Sequence, residues 1–169
     1  YINRKEINNF LKSDIYIIFG SSFIKGWLLK FLINKKAINI HMGVSPYYKG
    51  SSCNFWALYD RNINMIGSTI HYLSEKLDGG DMIMYVYPKK KYKSGFDFTM
   101  RSVLVAQQAV ANSVKNKKIF SILPVEQDKS KEIRYTKNCD FNDAIIEDFL
   151  QRKILLKSDS FKYPQLLKP

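Results

Sequence analysis

The order of apolar patterns along these 169 residues predicts an α/β fold in which helices flank a mostly parallel sheet. Three features carry that reading: a strand–helix–strand series over residues 14–41, two β-branched and aromatic runs on either side of a Leu-Asp-Gly-Gly turn, and one long amphipathic stretch after them. A strand, a helix and a second strand in that order pack as a right-handed crossover with parallel strands. Ligands bind beyond the carboxyl ends of such strands.

The first strand is DIYIIFG, residues 14–20, a β-branched and aromatic run closed by Gly20, as expected of a strand buried on both faces. Residues 25–32 supply the connecting helix, and AINIH, residues 37–41, the next strand. Segments 20–24 and 41–50 therefore lie at carboxyl ends. Ser51 and Ser52 stand where a hydroxyl caps the start of a helix through NFWALYD, whose Phe55, Trp56 and Tyr59 provide bulk. Residues 60–64 are polar and turn-like. STIHYL and MIMYVY have the content of strands. Between residues 98 and 116, Met100, Val103, Leu104, Ala106, Val110, Ala111 and Val114 recur at three- and four-residue intervals, which predicts an amphipathic helix covering the sheet. Beyond Pro124 the chain is charged up to Lys137. Residues 141–150 then form a short helix with Asn138 or Asp140 near its start, and a polar tail follows. The expected division is a core over residues 1–123 and a short C-terminal extension, 124–169, packed on it or trailing from it.

An apolar fraction of 46% is enough for a sizeable core, and the length fits one domain. The net charge of +12 raises the question of a polyanionic partner. Lysine greatly outnumbers arginine and is accompanied by abundant Ile and Asn, so compositional bias explains much of the excess; arginine is the residue that grips phosphate or guanine bidentately. Cys53 and Cys139 have no paired spacing, and with only two histidines they form no zinc pattern, which points to a reducing, cytoplasmic setting. No run of about 18 apolar residues is present to span a bilayer.

The chemistry concentrates in Asn39-Ile40-His41 and, 37 residues after the histidine, Asp78. Residues two apart on a strand share a face, so Asn39 and His41 converge on one atom while Ile38 and Ile40 pack on the other side. Gly79 and Gly80 let the backbone beside Asp78 turn tightly and approach a ligand. An amide, an imidazole and a carboxylate together suit acyl transfer. His71, in an alternating strand without motif support, reads as structural. Cys53, near His41 and at a helix start, raises thiol chemistry, against which stands the frequency of small buried cysteines.

INIHMGVSPYYKGSSCNFWALYD followed by GSTIHYLSEKLDGGDMI resembles the core of the folate-dependent formyltransferase family, which includes glycinamide ribonucleotide, methionyl-tRNA and nucleotide-sugar formyltransferases. The resemblance covers about residues 14–87. It rests on an Asn-x-His motif, a Pro and an aromatic-x-Gly, and a distal Asp in a Leu-Asp-x-Gly turn: Asn39, His41, Pro46, Tyr48, Gly50 and Asp78. Two departures stand out. Met42-Gly43-Val44-Ser45-Pro46 replaces the common Pro-Ser-Leu-Leu-Pro, which suggests a divergent branch, and a family member would carry about two more strand–helix units before residue 14. The resemblance implies a Rossmann-like formyltransferase fold, incomplete at its N-terminal side.

It further implies transfer of a formyl group from 10-formyltetrahydrofolate to a primary amine on a small phosphorylated or nucleotide-linked acceptor. Asn39 and His41 would be donors to the oxyanion, with Asp78 holding the imidazole charged and helping to remove the amine proton. Ser22, Phe23 and Ile24 would contact the folate from one wall, with core packing as the alternative for Phe23 and Ile24. Tyr72, Leu77 and Gly79 would contact it from the other. Methionyl-tRNA is the second acceptor considered: the basic surface suits it and the short C-terminal region argues against it. A hydrolase releasing formate, and a nucleic-acid or folate-binding module without turnover, complete the alternatives.

Overall fold

The computed structural model describes residues 7–8, 11–89, 94–152 and 163–165. In chain order the elements are β1 (Ile17–Ile18), α1 (Gly26–Asn34), β2 (Ile38–His41), β3 (Tyr48–Gly50), α2 (Cys53–Tyr59), β4 (Ser68–Tyr72), β5 (Met82–Val86), α3 (Gly95–Lys115), β6 (Arg134–Thr136) and α4 (Asp143–Gln151), joined by turns and short 3-10 segments. The fold is α/β. The main sheet has the order β1-β2-β4-β5, and the smaller sheet pairs β3 with β6.

The predicted crossover is present, with β1 parallel to β2 and α1 between them. The next two pairings, β2 with β4 and β4 with β5, are antiparallel, so the expectation of a mostly parallel sheet holds only at the β1–β2 side among the described residues. The reason lies in α2. It packs chiefly against β3 and α3 beyond the end of the sheet instead of crossing it, so the chain re-enters from the end it left. β1 is also shorter than residues 14–20: Ile38 N–H still bonds the Tyr16 carbonyl, but Gly20, at φ 60°, turns the chain into the loop that leads to α1.

Alternation along the strands builds the core. Ile38 and Ile40 of β2, Ile70 of β4 and Ile83 of β5 meet Ala106 and Val110 of α3, together with Ile119. Burying each of these isoleucine and valine side chains contributes about 1.5–3 kcal/mol. α3 covers the sheet as its periodicity predicts. It starts three residues earlier than expected, where the Ser94 hydroxyl accepts the Asp97 N–H at 3.1 Å. A second cluster joins Tyr48, Cys53, Trp56, Leu58 and Ile66 to Phe98 of the same helix, with Ile145 and Phe149 of α4 packed against it. Ser52 occupies the start of α2 in a left-handed conformation, φ 55°, and its side chain forms no capping bond. The start of α4 is capped by Asn142, which accepts from Ile145 N–H, while Asn138 and Asp140 lie in a separate 3-10 turn.

The charged stretch after Pro124 is ordered by distant partners. Val125 and Met82 exchange two backbone hydrogen bonds of 2.8 Å. Farther on, Arg134 of β6 forms a bidentate pair with Asp60 at 2.6 and 2.9 Å, and its guanidinium lies 4.7 Å from the centre of the Trp56 ring. Among the described residues no helix is long and apolar enough to cross a membrane.

Candidate active site

β2 delivers Asn39 and His41 to the carboxyl end of the β1–β2 unit, at a cleft of about 550 Å³. Antiparallel register sets Asn39 opposite His71 and His41 opposite Thr69. The Asn39 amide nitrogen lies 3.0 Å from His71 Nε2. The His71 Nδ1–H donates to the Tyr72 carbonyl at 2.8 Å, so Nε2 is the bare acceptor and the amide donates to it. Burial, aided by the charge on His41, pushes the His71 pKa down to about 4, which keeps this ring neutral. One N–H of the Asn39 amide is thus fixed on His71, and the other is left for the cleft.

His41 is held differently. Its Nδ1 lies 3.2 Å from Asp78 Oδ1 and its Nε2 3.0 Å from the Tyr48 carbonyl. Both partners are acceptors, so the ring that satisfies both is the imidazolium. Burial opposes the charge, but the Cys53 sulfur and the Asp78 carboxylate outweigh it, and the His41 pKa stands well above its ordinary value. For Asp78, burial alone would raise the pKa; the His41 charge and hydrogen bond, with the Gly50 N–H at 3.1 Å, turn the balance and lower it. Asp78 Oδ1 also lies 4.0 Å from His71 Nε2. In this geometry His41 presents its charge to the cleft, since both of its N–H groups point at protein acceptors.

The turn bearing Asp78 is tightly specified. Asp78 itself has a left-handed backbone, φ 48°. The Gln127 amide donates to its carbonyl at 2.6 Å and to that of Gly80 at 2.8 Å. A Cβ on Gly80 would lie 1.8 Å from the Tyr72 carbonyl oxygen, so close approach of two backbones requires glycine there.

Asn39, His41 and Asp78 all line the cleft, as do Ser22, Phe23 and Ile24 from the β1–α1 loop and Leu77 from the opposite side. Phe23 is 55% exposed, which removes it from the core and leaves it facing the opening. Tyr72 and Gly79 do not line the cleft: the Tyr72 side chain packs against the Ile38–Ile40–Ile70 cluster, and the Gly79 N–H closes the turn on the Lys76 carbonyl. Two contributions escaped the sequence reading. His71, read as structural, anchors Asn39, and Tyr135, Thr136, Lys137 and Asn138 form a further wall of the cleft. Cys53 is buried and its thiol points at the Gly50 carbonyl, 3.5 Å away. Among the described residues no group of three or more His, Cys, Asp or Glu side chains is placed to hold a metal ion.

The two histidines bend stability with pH in opposite directions. His41, with a folded pKa raised above the unfolded value near 6.5, stabilises the fold fully below that pH and loses its contribution as pH rises through the folded pKa. His71, lowered to about 4, resists protonation that the unfolded chain accepts, so its contribution is present above pH 6.5 and is lost as pH falls towards 4, an effect of about 3 kcal/mol. Unfolding stability is therefore expected to peak near pH 6.5, and His71→Asn to flatten the acid limb. Urea melts at half-unit pH intervals check this; an acid limb unchanged in the variant contradicts it.

The profile of the family described as formyl transferase matches residues 17–93, the stretch that holds Asn39, His41 and Asp78. This segment is similar to the formyl transferase family. The chain is 26% identical over 114 residues to formyltetrahydrofolate deformylase 1, mitochondrial, of Arabidopsis thaliana, a match covering 67% of this chain and 33% of that protein. Among solved structures, the formyl transferase fold seen here is similar to the formyltransferase PseJ from Anoxybacillus kamchatkensis in complex with UDP-4,6-dideoxy-4-formamido-L-AltNAc and tetrahydrofolate: TM-score 0.62, 22% identity, 97% of this chain and 80% of that one. It is also similar to an N-formyltransferase from Helicobacter canadensis in complex with folinic acid and dTDP-3-aminofucose: TM-score 0.61, 18% identity, 83% of this chain and 51% of that one. At these identities the likeness concerns the fold. The chain spans about a third of the length of the curated relative it matches.

Proposed function

We propose that the chain transfers a formyl group from 10-formyltetrahydrofolate to a primary amine on a small, nucleotide-linked acceptor, in a reducing cytoplasm. The observation that carries this reading is the Asn39, His41 and Asp78 group on the wall of a cleft, with one amide N–H free and an imidazolium beside it. The amine nitrogen attacks the formyl carbon and the carbonyl electrons move to oxygen. The free Asn39 N–H and the His41 charge stabilise that oxyanion. The intermediate collapses by breaking the bond to the folate nitrogen, and the proton lost by the amine passes through water to Asp78 and on to that nitrogen, which leaves as tetrahydrofolate. Residues 1–123 act as the catalytic core in this reading. The extension, 124–169, supplies Gln127 under the Asp78 turn and the 135–138 wall of the cleft. Ser22, Phe23, Ile24 and Leu77 hold the folate. Tyr72 and Gly79 support that wall from behind, through the Tyr72 carbonyl that takes the His71 N–H and the Gly79 bond to Lys76.

The acceptor class is favoured by the two sugar-nucleotide complexes of similar fold. Incubation of the full chain with 10-formyltetrahydrofolate and a panel of primary amines, including nucleotide-linked amino sugars, is expected to release tetrahydrofolate, seen by absorbance, and a formamide, seen by mass. Asn39→Ala is expected to lower that turnover by about 10²- to 10³-fold with little change in circular dichroism. Wild-type turnover in a folded Asn39→Ala protein contradicts the reading. A second reading, hydrolysis to formate with water in place of the amine, is favoured by the deformylase likeness. Formate release that is indifferent to every amine selects it.

A further inference from the structure

The segment that follows β2 folds back over His41. Thr69 of β4, opposite His41 in the register, is buried and holds that segment twice: its hydroxyl donates to the Gly43 carbonyl at 2.7 Å and accepts the Ser45 N–H at 2.8 Å. Gly43 is thereby buried against the imidazole. A Cβ on Gly43 would lie 2.6 Å from His41 Nε2, 3.1 Å from the Tyr48 carbonyl oxygen and 2.5 Å from the Cβ of Cys53. The first two atoms are the donor and acceptor of the His41–Tyr48 hydrogen bond, so that bond is laid against the bare Cα. Gly43 is not one of the glycines with a left-handed backbone, and glycine is needed here for space alone. Its neighbours have little room to retreat. Cys53 opens α2, is buried and points its thiol at the Gly50 carbonyl, while Tyr48 lies in β3, paired with Arg134 of β6. With Gly43 itself pinned by Thr69, the imidazole is the group that a side chain at position 43 would displace.

We propose that Gly43 is a positioning residue for His41: by carrying no side chain, it lets Nε2–H reach the Tyr48 carbonyl while Nδ1–H stays on Asp78. Its effect on rate rests on the formyl-transfer reading above, whereas the placement of the ring does not. The residue lies in Met42-Gly43-Val44-Ser45-Pro46, at the place where the common Pro-Ser-Leu-Leu-Pro has serine, so the device belongs to this chain's departure from that pattern. The ring's charge follows from its placement. With an acceptor on each nitrogen, only the doubly protonated imidazole satisfies both partners. A ring pushed off Tyr48 keeps Asp78 alone, and Nε2 then gives up its proton at a lower pH. The titratable groups that face the ring are Asp78 from its turn, Cys53 from α2 and His71 from β4, the two histidine rings being 6.4 Å apart. A methyl group at position 43 changes the charge of none of them.

The chain has 2 histidines, so an NMR titration of the ring Cε1–H signals in the full chain follows each by itself. In G43A the His41 midpoint is expected to fall by about one pH unit or more, through loss of a hydrogen bond made by a charged group, while His71 stays neutral down to about 4. The alkaline limb of the rate–pH profile is expected to move to lower pH by the same amount, with KM for 10-formyltetrahydrofolate little changed. General loosening of the fold would raise KM and leave the limb in place. A second variant, G43A/C53G, removes the Cys53 Cβ and gives the new methyl group room to lean away from the ring. It is expected to fold and to recover most of the shift, and it decides the question alone if G43A does not fold. A wild-type His41 midpoint in folded G43A overturns the proposal, as does a double variant that fails to fold or keeps the lowered midpoint. A wild-type protein that releases no tetrahydrofolate from 10-formyltetrahydrofolate rejects the functional reading and leaves the titration standing, so the two failures are told apart.

Discussion

Asp78→Asn is expected to lower formyl transfer at neutral pH by about 10³-fold, and to shift the surviving activity towards acid. In the wild type the carboxylate and the neighbouring sulfur hold His41 charged against a burial that favours the neutral ring. Asparagine removes the charge, burial prevails, and the ring loses its proton at a lower pH than before. The oxyanion then meets one N–H from Asn39 and no positive charge. Lowering the pH restores the imidazolium and with it part of the rate, a response that simple damage to the fold would not produce. Removing one member of a buried ion pair also costs about 3–5 kcal/mol of stability, towards the lower end here because asparagine keeps an oxygen for the Gly50 N–H. Rate–pH profiles of both proteins, with melting temperatures as a control, decide the matter; equal turnover at pH 7, or a profile that keeps its shape, contradicts it.

Gly80→Ala is expected to destabilise the chain by more than about 3 kcal/mol, and Gly79→Ala, one residue away, by clearly less. Neither effect follows from glycine content. At Gly80 the added carbon would meet the Tyr72 carbonyl oxygen at 1.8 Å and His71 Nδ1 at 3.2 Å. That oxygen is the acceptor that sets the His71 tautomer, so the clash displaces His71 and releases Asn39. At Gly79 the closest atom is the Lys76 Cβ, 2.9 Å away, so something must shift there too, but the exposed residues 75–77 give way more readily than the paired Tyr72 backbone. Denaturant midpoints of the two variants test the contrast, and a Gly80→Ala protein as stable as Gly79→Ala removes its basis.

What could be read from the chain in advance was local. The alternation of Ile38, Asn39, Ile40 and His41 places the aliphatic residues inward and the polar ones towards the cleft, and the structure agrees. The period of residues 98–116 predicts α3 and its contact with the sheet for the same reason, that one face must leave water. The direction of the strands was less accessible, because it depends on whether α2 crosses the sheet, and seven residues of bulky side chains are equally at home beyond its end. The bond between Asn39 and His71 needs the register of β2 and β4, which no local pattern encodes. The inward side chain of Tyr72 was within reach, since it shares a face with Ile70, and the resemblance drew attention to the wrong side of that strand. Gln127 and β6 were hidden in a charged stretch whose partners lie tens of residues upstream.

Holding the acid's own backbone from a residue so far along the chain ties the fate of the reaction to a segment that contributes little to the main sheet. A protease nick between Val125 and Gln127, beyond Ile119, would leave the isoleucine layer intact and the spectrum of the fold almost unaltered, yet it would loosen the support beneath Asp78. Inactivation would then run ahead of denaturation, and the two half-lives, measured side by side, would differ.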